Sequence, residues 1–412
     1  MAGLPLLKAD QVKTLSVMRM KIAIVIERSN VVLGGAERSV LELTTALSAL
    51  GLDVHILAAK GQTNAKSIHL LCQNAPGKRA SYFTFVKALK KHLSQNPYDI
   101  IHSVLPFHFV DLYQPRGGTY AQSILRNAAS YQNKFLASYK KMTAFANFRR
   151  TILLQAERKL CKDPNGPVIA ALSRYVADQF KREYGVDDER IVVIPNGVKI
   201  NKQVNTAEAD RLRAQILTEL NLKEADNPIF FLFVANNFRL KGLTPLIEAM
   251  HLATAKQTAY PACLVVTGRG NSRKYRHLAK KLNVQRKIVF LGKVRHIQNA
   301  LSIADVAALP TFYDPSSRFI LEAIAAAKPV ITTKFNGATD LFVDGRHGKV
   351  IDTPENTPAL ADAINYFSDV NNIQKASDAI VADNLSEKIS ITRAAKQLIS
   401  LYESIIEKQR QQ

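Results

Sequence analysis

Ile303-Ala-Asp-Val-Ala-Ala-Leu-Pro-Thr-Phe-Tyr-Asp-Pro-Ser-Ser-Arg-Phe-Ile-Leu-Glu-Ala-Ile324 reads as a strand, a loop and a helix in succession. The opening apolar run has the length of a buried strand, and Arg318 to Ala327 carry helical spacing. Asp314 therefore falls in the loop at the carboxyl end of a strand, the edge where open α/β sheets bind ligands. Glu322 follows eight residues later, inside the helix. Backbone amides at the helix start, Ser316, Ser317, Arg318 and Phe319, suit a phosphate. Two carboxylates flanking such an anion site suggest a sugar nucleotide, with amides on the diphosphate and acids on the hydroxyls. The plain alternative is an N-cap acid followed by a solvated helix glutamate.

Outward from this stretch, strands alternate with helical patterns along the whole chain, the signature of parallel sheets. Lys21–Glu27, Asp53–Ala58, Asp99–Leu105, Pro167–Ser173 and Ile191–Pro195 read as strands of a first unit, with a helix over Ala36–Leu50. The polar stretch after Asn196-Gly197-Val198, as far as Glu208, reads as a linker. A second unit of the same kind begins at Pro228. The expected architecture is two Rossmann-like doubly wound domains facing a cleft. Residues 1–198 form the acceptor-side domain and 199–385 the nucleotide-sugar domain. Residues 386–412 form a final amphipathic segment that crosses back to the first.

At 412 residues the chain exceeds one ordinary core. No apolar run approaches a membrane span; Ile229-Phe-Phe-Leu-Phe-Val-Ala235 is only strand-sized. Residues 1–19 lack the apolar stretch of a secretory signal, and Met18 and Met20 are alternative starts before the first strand. Three scattered cysteines, Cys72, Cys161 and Cys263, argue for a reducing cytoplasm and against a disulfide frame or zinc site. The formal net charge is +22, and it is unevenly placed. Between residues 60 and 162, 17 Lys and Arg meet only Asp99, Asp111 and Glu157. Aromatics interleave with this charge over 119–162, a segment read as helical. Such a face suits an anionic membrane surface, a phosphorylated acceptor or nucleic acid; the alternative is a solvated helix face. Nucleic acid is not expected, because no reading module accompanies the charge.

Other motifs lie where strands end. Gly34-Gly35-Ala36-Glu37-Arg38 follows the first strand and opens a helix, allowing close backbone approach to a ligand. Arg239-Leu-Lys241-Gly242 offers two cations for a diphosphate. His102 and Asp111 are candidates for contact with a sugar or an acceptor hydroxyl, against structural roles for both. Val265-Val-Thr-Gly-Arg-Gly270 suits a base or ribose against the backbone. No Asp-x-Asp appears, so chemistry without a metal or other cofactor is the simpler expectation.

In order, the Gly34-Gly35 loop, Ile194-Pro-Asn-Gly-Val198, Lys241-Gly242, Asp314 to Glu322-Ala323, Ala327-Lys-Pro-Val330 and Asp344-Gly-Arg-His-Gly348 resemble the GT-B glycosyltransferases of family four. Among these the likeness is greatest to lipopolysaccharide-core glucosyltransferases. The resemblance implies that Glu322 binds the donor ribose. Asp314 takes the place of a glutamate on the donor sugar. It further implies that Arg318 and Phe319 amides cradle phosphate, that Lys241 pairs with the diphosphate, and that Gly35 lines the donor. Asp111 matches an acid near the acceptor. Two departures stand out. Asp314-Pro-Ser-Ser317 replaces Glu-Gly-Phe-Gly, and Gly117-Gly118 stands where a catalytic histidine is expected. The family arginine is missing around Ala235-Asn236, with Arg239 as its shifted substitute.

The implied function is retaining transfer of glucose or a similar hexose, from UDP-glucose or a related UDP-hexose, to a glycan or glycolipid such as a lipopolysaccharide core. Its place would be the cytoplasm, peripherally on the inner face of the plasma membrane. The assigned catalytic set is Asp111, Arg239, Lys241 and Asp314. A non-catalytic sugar-nucleotide-binding protein and a nucleotide-sugar epimerase share the fold and remain alternatives.

Overall fold

A computed structural model describes residues 20–29, 35–63, 65–77, 79–131, 133–200, 203–253 and 260–411. Residues 1–19 and Gly34 lie outside them, and with them the reading of the amino terminus and of half the glycine pair.

Two parallel sheets organise the chain. The first holds β1 (Lys21–Ser29), β2 (Asp53–Gly61), β3 (Ile68–Leu70), β4 (Ile100–Ser103), β5 (Leu112–Tyr113), β6 (Val168–Ala171) and β7 (Ile191–Val193) in the order 3-2-1-4-5-6-7. The second holds β8 (Ile229–Val234), β9 (Ala262–Thr267), β10 (Ile288–Gly292), β11 (Val306–Leu309), β12 (Val330–Thr333) and β13 (Gly348–Ile351) in the order 10-9-8-11-12-13. Both sheets wind the same way. The first three strands step to one side, and the fourth returns beside the first. That reversal opens a crevice at the carboxyl ends of β1 and β4, and again at β8 and β11.

The apolar runs explain the layers. β9, β11 and β12 are buried at every residue because helices cover both faces of the sheet. Phe230, Phe231, Leu232 and Phe233 form the centre of the second core. In the first lobe, Ile22 and Ile24 point to one core and Ala23 and Val25 to another, the alternation a strand imposes.

The chain crosses between lobes twice, and the crossings pair. The Val198 N–H donates to the Ile389 carbonyl, and the Ile391 N–H donates to the Val198 carbonyl, both at 2.9 Å. Gly197 permits this approach, since a Cβ there would sit 2.4 Å from the Cα of Ile391. The helix Ile391–Gln411 then lies against the first lobe, with Leu398, Tyr402 and Ile405 in the core of Ile22, Val40 and Leu47.

Two local readings are sharpened by the structure. The basic segment read as helical holds the helices Tyr120–Ala129, Lys134–Met142 and Phe148–Lys162. Asn133 and Asn147 start the second and third by accepting the N–H of Leu136 and Arg150, each at 3.1 Å. Asparagine favours this N-cap role over a helix interior. The polar stretch read as linker to Glu208 gives way at its end to the helix Thr206–Leu220, capped in the same manner by Asn205.

Candidate active site

The carboxyl ends of β8, β9, β10 and β11 surround a cavity of about 630 Å³ that the first lobe closes with Arg38. Lys241, Asp314, Arg318, Phe319 and Glu322 all line it. Lys241 reaches it through a turn that only glycine permits. Gly242 has φ +79°, and a Cβ there would lie 1.9 Å from the Pro310 carbonyl oxygen. The Lys241 ammonium stands 2.7 Å from Asp314 Oδ2 and donates to the Tyr313 carbonyl at 2.9 Å. Asp314 is itself braced. Its N–H donates to the Phe335 carbonyl, and its carbonyl accepts from Gly337.

The helix Arg318–Ala325 starts at this cavity, and its first amides divide into two pairs. The Ser316 N–H donates to Asp314 Oδ1 at 3.3 Å, and the Ser317 N–H to Asn336 Oδ1 at 3.1 Å. Ser317 Oγ caps the helix by accepting from Ile320. The Ser316 carbonyl accepts from Asn196 of the first lobe. Ser316 and Ser317 therefore shape the turn, Ser317 also lines the cavity, and the amides of both already have acceptors. The amides of Arg318 and Phe319 have none among the described residues, and they keep the positive end of the helix open to an anion.

Glu322 sits in the second turn of that helix, 8% exposed, and its Oε1 accepts from Arg318 Nε at 3.2 Å. Across the cleft, Gly35 begins the helix Gly35–Ala49. Arg38 and Glu42 on this helix pair at 3.1 Å, and Glu42 also pairs with Arg318.

Three assignments fail on geometry. Arg239 does not enter the cavity. It crosses to the first lobe, donating to the Asn127 carbonyl at 2.8 Å and to Ser130 Oγ. Its guanidinium lies 3.7 Å from the centre of the Tyr131 ring. These acceptors gather at the end of the helix Tyr120–Ala129, where carbonyls lack partners and a cation is favoured. His102 is fully buried in β4, level with Ile24, and its Nδ1 lies 2.7 Å from the Tyr402 hydroxyl. Burial lowers its pKa to about 3, so the ring is neutral. Asp111 precedes β5 and pairs with the level of Ile101, which lies beside Ala23 near the start of β1. It accepts from the Ile101 N–H and from Gln409, both at 2.7 Å, and burial raises its pKa. A carboxylate there ties strands and the last helix together at the end remote from the cleft.

The cavity also holds Arg38 of the glycine-pair motif, Arg269 of the Gly268-Arg269-Gly270 turn, and two cations that the sequence reading does not single out, Lys293 and Arg295. Lys293 and Arg295 follow β10 as Lys241 follows β8, so strand-end position was the signal for them. Gly117-Gly118, in the place expected for a histidine, closes the lobes. Gly118 has φ +67°, and a Cβ there would lie 1.9 Å from the Tyr313 hydroxyl, which donates to Gln179 at 3.0 Å. Ser173 Oγ donates to the Pro315 carbonyl at 2.8 Å beside it.

The chain resembles known proteins across this whole arrangement. Residues 33–202 match the family described as Glycosyltransferase Family 4, and residues 219–381 match Glycosyl transferases group 1. Lipopolysaccharide glucosyltransferase WaaG of Escherichia coli is 24% identical over 332 residues, 78% of this chain and 82% of that protein. The crystal structure of WaaG superposes with a TM-score of 0.71 at 19% identity, covering 92% of this chain and 99% of that one. HepE of Anabaena, solved in complex with UDP-glucose, superposes with a TM-score of 0.65 at 17% identity, covering 93% and 100%.

Proposed function

This chain belongs to the family-four glycosyltransferases of the GT-B type, and from that premise we propose retaining transfer of a hexose from a UDP-linked donor to a lipid-linked or phosphorylated glycan. The observation that carries this reading is the shared cavity. Lys241, Asp314, Glu322 and, with amides lacking acceptors among the described residues, Arg318 and Phe319 line one space between the lobes. The amides and Lys241 take the diphosphate, Glu322 the ribose hydroxyls, and Asp314 both steadies Lys241 and meets the sugar. Relatives favour UDP and a lipid acceptor: HepE was solved with UDP-glucose, and WaaG is named for lipopolysaccharide.

In the reaction, the bond from the anomeric carbon to the β-phosphate oxygen breaks. The acceptor oxygen bonds to that carbon on the same face, and its proton passes to the departing phosphate oxygen. The protein then mainly stabilises charge on the leaving diphosphate. Lys241 is fixed by Asp314 and the Tyr313 carbonyl, and Arg269, Lys293 and Arg295 add positive potential around the cavity. No metal is required by this scheme.

The basic segment offers a surface on which a lipid-linked acceptor would be met. Phe135, Tyr139, Met142 and Phe148 are exposed at 89%, 54%, 72% and 76%, beside Lys140 and Lys141. Apolar rings among cations suit an anionic bilayer surface. Among the described residues no helix is long and apolar enough to cross a membrane. Vesicles containing phosphatidylglycerol are expected to sediment the protein, and neutral vesicles to leave it in solution.

The deciding experiment supplies UDP-, GDP- and ADP-sugars with and without a glycolipid acceptor, and measures nucleoside diphosphate release. Release from a UDP-hexose, raised by acceptor, is expected. No release from any donor with acceptor present removes the proposal.

A further inference from the structure

Arg318 joins two acids from opposite lobes. Its Nε donates to Glu322 Oε1 at 3.2 Å within the second lobe, and its Nη2 donates to Glu42 Oε2 at 2.5 Å in the first. The three side chains are 14%, 8% and 21% exposed, so water screens the pairs little. Glu42 is held from its other side by Arg38, one turn earlier on the same helix. Glu42 does not line the donor cavity, whereas Arg38, Arg318 and Glu322 do.

We propose that Arg318 is a positioning residue that couples closure of the lobes to the orientation of Glu322, with Glu42 as its anchor in the first lobe. The inference rests on the reading of Glu322 as a donor-binding acid. A guanidinium is planar and holds its donors in a fixed fork, so two carboxylates bound to it are oriented relative to each other. Of the two Arg318 contacts, only the one to Glu42 joins the lobes, so it is the one given up when they part. Arg318 then regains rotamer freedom, and Glu322 loses a fixed partner. The closed arrangement also carries a cost. Arg318 Nη1 is buried without an acceptor among the described residues, whereas in an opened cleft water can reach it. That cost works against closure, and a bound donor offsets it.

The test is a double-mutant cycle on nucleotide affinity, read by calorimetry with the full chain and UDP as probe, or with GDP or ADP if either binds more tightly. Glu42→Gln is expected to weaken binding about tenfold, equivalent to about 1.4 kcal/mol. Arg318→Leu is expected to weaken it at least as much. Adding Glu42→Gln to Arg318→Leu is expected to change nothing further, since the anchor acts only through the arginine. Arg318→Lys, which keeps the charge but loses the fork, should recover only part of the affinity. Unfolding midpoints accompany each variant, so that a misfolded protein is not read as a weak binder. Glu322→Gln separates the two layers of the argument. If it leaves affinity unchanged, or if no nucleotide binds the wild type, the donor reading falls and the coupling with it. If Glu322→Gln weakens binding but Glu42→Gln does not, or if the Glu42 and Arg318 effects add, the coupling alone is overturned.

Discussion

The two lobes share one winding order, yet their strand ends carry different chemistry. In the second lobe, the ends of β8 to β11 open onto a cavity with Lys241, Arg269, Lys293 and Arg295 around it. In the first lobe, the candidates from β4 and β5 are drawn into packing. His102 meets Tyr402, Asp111 meets Ile101 and Gln409, and Gly118 meets Tyr313. Topology therefore makes an edge available, and what stands there is decided by neighbours. Arg239 and Lys241 show this within three residues. The turn closed by Gly242, just after the lysine, sends Lys241 to Asp314, while the arginine reaches the far lobe.

Substitutions can break that contrast. Lys241→Ala is expected to lower kcat about 10²–10³-fold while leaving the unfolding midpoint near wild type, because the cation acts on charge that develops in the transition state. Glu322→Ala is expected to remove most turnover by loss of donor binding, seen as a much weakened UDP affinity. Arg239→Ala should do the reverse of Lys241→Ala. Loss of charged hydrogen bonds to Asn127 and Ser130 is expected to cost about 1–3 kcal/mol in stability, with kcat changed less than about tenfold. A turnover loss as deep as that of Lys241→Ala would return Arg239 to the chemistry.

Asp111→Asn is expected to cost about 1 kcal/mol in stability and leave turnover intact. A collapse of kcat with stability preserved would restore the acceptor role. The smallest effect is in pH. The folded-state pKa of His102, about 3, lies below its ordinary 6.5, so the native protein binds fewer protons than the unfolded chain between those values. Its contribution is complete above pH 6.5 and is lost as pH falls toward 3. His102→Asn should therefore be less stable than wild type at neutral pH, with the gap in unfolding midpoint narrowing on acidification. A gap that stays constant would show that the ring titrates normally.

Much of the architecture is legible in the chain itself. Apolar runs such as Phe230 to Phe233 and Val306 to Leu309 are long enough for buried strands and flanked by helical spacing, so doubly wound sheets follow from periodicity. Lys241, Asp314 and Glu322 are likewise readable, because each stands at a strand end or on the helix that follows. The helix Thr206–Leu220 and the breaks at Asn133 and Asn147 are less visible, since polar faces and caps carry little hydrophobic signal.

What local pattern determines is which residues leave the sheet at its ligand-facing edge, since that depends only on strand direction and turn chemistry. Which of them meet is decided by the packing of one lobe on the other. Arg239 and Arg318 are both cations beside strand ends, and neither spacing nor composition distinguishes a strut from a clasp or a ligand contact. Their partners, Asn127 and Glu42, lie more than a hundred residues away in the chain, and only folding brings them within hydrogen-bonding distance.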